Sequence, residues 1–117
     1  MSEERPEREV LAILDDDYAR AILEATRREQ LSAKAISEAC DMSVSTVSRR
    51  VRTLLDLDLL VERTHIDPEG GHHYSEYEAQ LERVEVLLLE GGFDVRIELR
   101  EDAADRFRRI WGEMRNA

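Results

Sequence analysis

An α+β fold is predicted by three features of the chain. Apolar residues recur at helical spacing as far as Asp56, alternate with polar residues after Leu59, and are divided there by two glycine-bearing turns. Three helices followed by a hairpin is the order of a winged helix-turn-helix, a three-helix core plus a β-hairpin wing. A second hairpin and a C-terminal dimerisation helix complete the prediction.

Taken in order, Ser2 to Arg8 reads as a solvated tail, so residues 1–9 are expected to be flexible. Val10, Leu11 and Leu14 then begin a short helix that stops near Asp15-Asp16-Asp17. Tyr18, Ala19, Ile22, Leu23 and Thr26 follow at helical spacing and predict a helix over 16–29, with carboxylates near its positive end. Ile36, Ala39 and Cys40 give the next helix, over 33–40, one apolar face, and Ser32 suits its N-cap. Asp41 falls where the chain must turn sharply and tolerates the left-handed conformation. Ser43 can cap a helix over 43–56, in which Val47, Val51 and Leu54 fall at i, i+4 and i+7 and form one buried stripe.

Opposite that stripe the last helix of the pair is polar. Ser45, Arg49, Arg52 and Asp56 lie roughly on its reverse face, with Thr46, Ser48, Arg50 and Thr53 on the flanks. Such a face suits the major groove of double-stranded DNA, where arginine reaches guanine in a bidentate way and hydroxyls bond bases or phosphates. Ser43 and Lys34 join these as candidate DNA-binding residues. Composition opposes this, because 27 acidic and 17 basic residues give a net charge of -10 and a pI near 4.8. Yet no acidic residue lies between Asp41 and Asp56, and all basic residues but Lys34 are arginine. An acidic, lysine-poor, arginine-retaining balance is expected of a protein in a very salty cytoplasm. At molar salt the Debye length is only about 3 Å, so long-range repulsion from DNA is screened and short contacts decide. Inorganic cations are expected at such an interface, giving a flat or positive dependence of affinity on salt, where counterion release gives a steep negative one.

Beyond the helices, Leu59 to Ile66 and His72 to Tyr77 are β-type runs joined by Asp67-Pro68-Glu69-Gly70-Gly71, a hairpin signal that places a wing directly after the recognition helix. Arg63, His72 and His73 are candidates to contact phosphates or groove edges there. Asp67 and Glu69 would approach DNA only through bound cations. Alternatively the wing tip is merely solvated, or His65, His72, His73, Asp67 and Glu69 gather a metal. Val84, Val86 and Leu88 alternate against Phe93, Val95, Ile97 and Leu99 across Gly91-Gly92 in a second hairpin, expected to extend the wing sheet or pack beneath it. Residues 102–116 carry Ala103, Phe107, Ile110, Trp111 and Met114 as an apolar stripe on a charged helix, which needs a partner. A homodimer joined through this helix, with help from Val10 and Leu14, is expected; the alternative is that the helix folds back on its own domain. The domains so drawn are a tail over 1–9, a DNA-binding domain over 10–79, and the second hairpin with its terminal helix over 80–117, within one compact domain.

At 117 residues and 42% hydrophobic content, one modest core can be buried. No apolar run approaches the roughly 18 residues of a membrane span, and Met1 to Glu9 has no signal-peptide core, so a cytoplasmic protein is expected. The single cysteine, Cys40, excludes an internal disulfide and a multi-thiolate metal site. It reads as a small core residue, with redox sensing as the functional alternative. No Gly-rich phosphate loop, no catalytic Ser/His/Asp or Cys/His arrangement and no cofactor motif is apparent, so an enzyme is not expected. A third class, a winged helix used for protein contact in the transcription machinery, is opposed by the three arginines and five Ser/Thr residues from Ser43 to Thr53.

Asp15 to Leu23, the run Ser45-Thr46-Val47-Ser48-Arg49-Arg50 and Leu57 to Glu62 together make the chain resemble haloarchaeal winged-helix regulators of the ArsR-like or PadR-like type, over nearly its whole length. Thr46 to Arg49 is also similar to the recognition helix of lac-repressor-type proteins. The resemblance implies a homodimeric transcription factor on pseudo-palindromic promoter DNA, without assigning individual base contacts. Metal-sensing ArsR proteins typically bear a Cys-x-Cys motif on the recognition helix. This chain has none, which argues against thiolate metal sensing.

Overall fold

The computed structural model describes residues 4–100, and its backbone order is four helices and then two hairpins. Helix α1 (Glu4–Leu14) leads into α2 (Asp17–Arg28), α3 (Ala33–Cys40) and α4 (Val44–Asp56). Strands β1 (Leu60–Ile66) and β2 (His73–Ala79) form the wing, and β3 (Leu81–Leu89) and β4 (Gly92–Leu99) the second hairpin. The helix α1 starts at Glu4, well before the expected Val10. Pro6 does not prevent this, because a helix's first turn has no intrahelical use for the missing N–H. The expected tail over 1–9 is therefore helical from Glu4 onward. The expected terminal helix, with Phe107, Ile110, Trp111 and Met114, lies outside the described residues.

Short side chains set the helix boundaries. Asp16 caps α2 by accepting from the Tyr18 N–H at 2.8 Å, Ser32 caps α3 through the Ala35 N–H at 3.1 Å, and Ser43 caps α4 through the Thr46 N–H at 3.1 Å. Asp41 ends α3 in the left-handed region at φ 51°, and Asp58 reverses the chain after α4 at φ 61°. The end of α1 is held from outside, where the Arg20 guanidinium donates to the Leu14 carbonyl at 2.6 Å.

The core gathers one stripe from each helix. Ile22, Ile36, Val47, Leu54 and Leu59 have no exposed surface, and Val10, Val51 and Leu60 have very little. Thr26, the one buried polar residue among those described, donates its hydroxyl to the Ile22 carbonyl at 2.7 Å. The wing pairs in register from Leu60 opposite Ala79 to Ile66 opposite His73. A bridge between Leu31 and Tyr77 ties β2 to the link before α3. The second hairpin does not extend this sheet. Its strands pair only with each other, from Leu81 opposite Leu99 to Leu89 opposite Gly92. Gln80 turns the chain out of the wing, and both the Gln80 and Leu81 N–H groups donate to the Leu59 carbonyl, so β3 starts away from the β2 edge.

Because Leu54 is fully enclosed, Leu54→Ala is expected to lower unfolding stability by about 2–5 kcal/mol, read from urea denaturation, since a cavity adds to the lost transfer energy.

Candidate nucleic-acid interface

The rotation of α4 is fixed by burial of Val47, Val51 and Leu54 against the other helices. A helix held by one stripe must present the opposite residues outward. Ser45, Ser48, Arg49, Arg52 and Thr53 are accordingly exposed, Thr46 is half-buried, and Lys34 is exposed on the neighbouring α3. Ser48, Arg49, Arg50, Arg52 and Thr53 share one shallow concavity on this face. Ser43 is exposed, but its hydroxyl is engaged at the cap and with Thr46 Oγ1 at 2.9 Å.

Arg50 behaves differently from its neighbours. It is half-buried, its Nε donates to Asp16 Oδ2, and its guanidinium lies 5.7 Å from the centre of the Tyr18 ring. Asp16 thus caps α2 with one oxygen and holds α4 with the other. This dual role was missed by sequence reasoning, because spacing within α4 places Arg50 on a flank of the buried stripe and does not show which distant group meets it. For the Asp16 carboxyl, burial works upward. The Tyr18 N–H, the Arg50 hydrogen bond and the Arg50 charge outweigh it and hold the pKa below the usual carboxylate value.

The wing stands beside α4. A groove of about 450 Å³ between them is lined by Ser48 and Arg52 from α4 and by Glu62 and Tyr77 from the wing, with Asp56 at its end. Arg63, half-buried, lies 3.4 Å from Glu78 Oε1, and the Ser75 hydroxyl donates to Glu62. Burial, and then the Glu62 charge, push the Tyr77 hydroxyl pKa up. His65 is directed along the wing face, stacked on Tyr74 at 5.2 Å, with its Nε2 3.2 Å from both Gln30 Oε1 and Glu76 Oε1. His72 and His73 are exposed near the tip, where the Asp67 carboxylate accepts from the Glu69 N–H at 3.0 Å. Among the described residues no three of His, Cys, Asp or Glu converge as metal ligands, so the wing histidines and carboxylates do not meet at one point. A Cβ at Gly70 in that turn would come within 2.9 Å of the His72 ring and 3.1 Å of the Asp67 carboxylate, so those side chains would have to move.

Cys40 is half-buried at the end of α3, its thiol 3.6 Å from the Ala21 carbonyl. Burial, and then the Glu24 charge, push its pKa up, opposite to the shift that makes a thiolate reactive. Val10 is enclosed by the core of its own chain and Leu14 packs at the edge of that core.

In comparison with known proteins, residues 14–63 fit a family model described as a helix-turn-helix domain. That span runs from the end of α1 through α4 into β1. No curated protein matches the chain. Residues 14–63 are thus similar to a helix-turn-helix domain, and the helices followed by the β1–β2 hairpin have a winged-helix arrangement. Among the described residues no helix is long and apolar enough to cross a membrane.

Asp16→Asn keeps a capping oxygen but removes the charge facing Arg50, and is expected to cost about 0.5–1 kcal/mol at neutral pH. Since the native pKa is lowered, this contribution is complete above the ordinary carboxylate value and fades as pH falls through the native one. Urea midpoints between pH 6 and pH 2 should therefore converge for the two proteins at the acid end.

Proposed function

We propose that the protein is a sequence-specific DNA-binding transcription regulator that acts as a homodimer on pseudo-palindromic promoter sites in a high-salt cytoplasm. The observation that carries this reading is the outer face of α4, where Ser45, Ser48, Arg49, Arg52 and Thr53 stand exposed within a matched helix-turn-helix domain. Each subunit lays residues 43–55 in a major groove, with Arg49 and Arg52 as the principal cationic contacts. Thr46 and Ser43 border that face, and Lys34 meets the backbone from α3. The wing, through Arg63, His72 and His73, lies along flanking phosphates. Two-fold symmetry sets the recognition helices about 34 Å apart, one turn of DNA. Arg50 borders the same face and also holds α4 to Asp16.

The carboxylates of Asp56 and Glu62 beside Arg52 give the interface its cation requirement. Where phosphates approach these groups, inorganic cations are taken up at the interface. The finer reading, a haloarchaeal oxidative-stress regulator of the RosR kind, is supported by the sequence resemblance alone. A role in which this domain binds another protein of the transcription machinery is less well supported, because the exposed face of α4 is cationic and hydroxyl-rich.

Arg49→Ala is expected to weaken binding to a promoter-derived duplex by about 1–3 kcal/mol while circular dichroism and the unfolding midpoint stay unchanged, measured by fluorescence anisotropy. Equal binding by the variant, or no preference for promoter over scrambled duplex at any salt, would favour the protein-contact role. Titration from low to molar potassium chloride should give a flat or rising affinity; a steep fall would remove the cation-uptake part of the reading.

A further inference from the structure

The Asp16–Arg50 pair is the most enclosed ion pair among the described residues, with its side chains 22% and 28% exposed. Arg50 nonetheless lines the concavity that it shares with Arg49 and Arg52 on the outward side of α4. This arginine therefore stands at the border of the face proposed to meet DNA, with a protein carboxylate already bound to it. Three features keep that carboxylate in place. Its other oxygen accepts the Tyr18 N–H at 2.8 Å as the cap of α2. The start of a helix favours a negative charge. The helix itself is anchored by Ala19, Ile22 and Leu23 in the core. On the arginine side, the Tyr18 ring lies 5.7 Å from the guanidinium carbon and adds a second hold. The lowered Asp16 pKa keeps the carboxylate ionised at neutral pH, so the pair carries no net charge.

We propose that Asp16 masks Arg50 from the phosphate backbone, so that α4 offers duplex DNA two arginine charges, Arg49 and Arg52, rather than three. The inference rests on the DNA-binding reading and adds the residue that limits sequence-independent attraction. A phosphate approaching this border competes with Asp16 for one guanidinium and must displace a carboxylate held at two points. A partly buried pair is screened by salt much less than exposed charges at a distance, so the mask stays in place at salt concentrations that weaken the pull of the phosphates. Among the described residues neither Arg49 nor Arg52 has an ion-pair partner, so the masking is confined to one arginine of the three. A third unmasked arginine would add an attraction that every duplex offers equally, and phosphate contacts of that kind carry no sequence information.

The test is Asp16→Asn and Asp16→Ser, each of which keeps a capping oxygen. Both are assayed by fluorescence anisotropy on promoter-derived and scrambled duplexes, from about 0.1 to about 1 M potassium chloride. Each phosphate neutralised contributes a slope of about -0.9 in log affinity against log salt. Both variants are therefore expected to bind both duplexes about 8-fold tighter than the unaltered chain at about 0.1 M salt, with the advantage gone near 1 M and circular dichroism retained. Arg50→Gln added to Asp16→Asn should abolish the gain, and Glu24→Gln, which makes the same change of net charge farther along α2, should not produce it. Equal or weaker binding by the folded Asp16 variants, a gain that survives Arg50→Gln, or an equal gain from Glu24→Gln would overturn the masking and leave the DNA-binding reading standing. Failure of the unaltered chain and of every variant to bind either duplex would overturn both.

Discussion

The packing of one stripe on α4 is the constraint on which the rest depends. Val47, Val51 and Leu54 leave that helix a single rotation about its axis, because any other would lift them into water at roughly 1.5–3 kcal/mol for each side chain. The stripe needs Ile22 and Leu23 from α2, Ile36 from α3 and Leu59 beyond, which is why the helices converge as they do. Asp41 and Asp58 make this geometry possible at either end, each bending the chain through a left-handed residue. Leu59 carries the constraint into the β region, for its side chain is in the core while its carbonyl receives the Gln80 and Leu81 N–H groups. The placement of the wing base and the exit of the second hairpin thus follow from the same core.

Arginine has two distinct uses on α4. Arg49 and Arg52 lie where the stripe turns them outward, whereas Arg50 is drawn to Asp16 across the helix pair. The Asp16–Arg50 contact links the N-terminus of α2 to the middle of α4, so the carboxylate that caps α2 also helps to orient the exposed face of α4. Guanidinium is suited to this, since it stacks against Tyr18 while its Nε reaches the carboxylate.

Most of the helical architecture was legible because it is local. Ser32, Asp41 and Ser43 mark boundaries through their own hydrogen bonds and dihedral preferences, and α3 spans the residues that the spacing predicts. The early start of α1 was hidden by its charge density, since a run of acids and arginines reads as a tail whether or not its backbone is helical. What could not be read were pairings between distant residues: Arg50 with Asp16, His65 with Gln30, and Leu31 with Tyr77. Each depends on how two elements meet, which periodicity within either one does not contain. The second hairpin shows the same division. Its strands were apparent from alternation, but its separation from the wing sheet is decided by the hydrogen bonds of Gln80 and Leu81.

The acidic surface bears on the proposed DNA contact through distance. Phosphates on a duplex present one charge per about 1.7 Å of axis. At 0.15 M salt their field reaches about 8 Å, far enough to act on Asp56, Glu62 and the wing-tip carboxylates while α4 sits in the groove. At 1 M that reach falls to about 3 Å, the length of a hydrogen bond. Direct contacts from Arg49, Arg52 and the hydroxyls of α4 then retain their strength, while repulsion from carboxylates a few ångströms further off is screened. An interface built this way would gain specificity as salt rises, because only groups that touch DNA still interact with it. That separates contact from field, and it makes a net charge of -10 compatible with a DNA-facing helix.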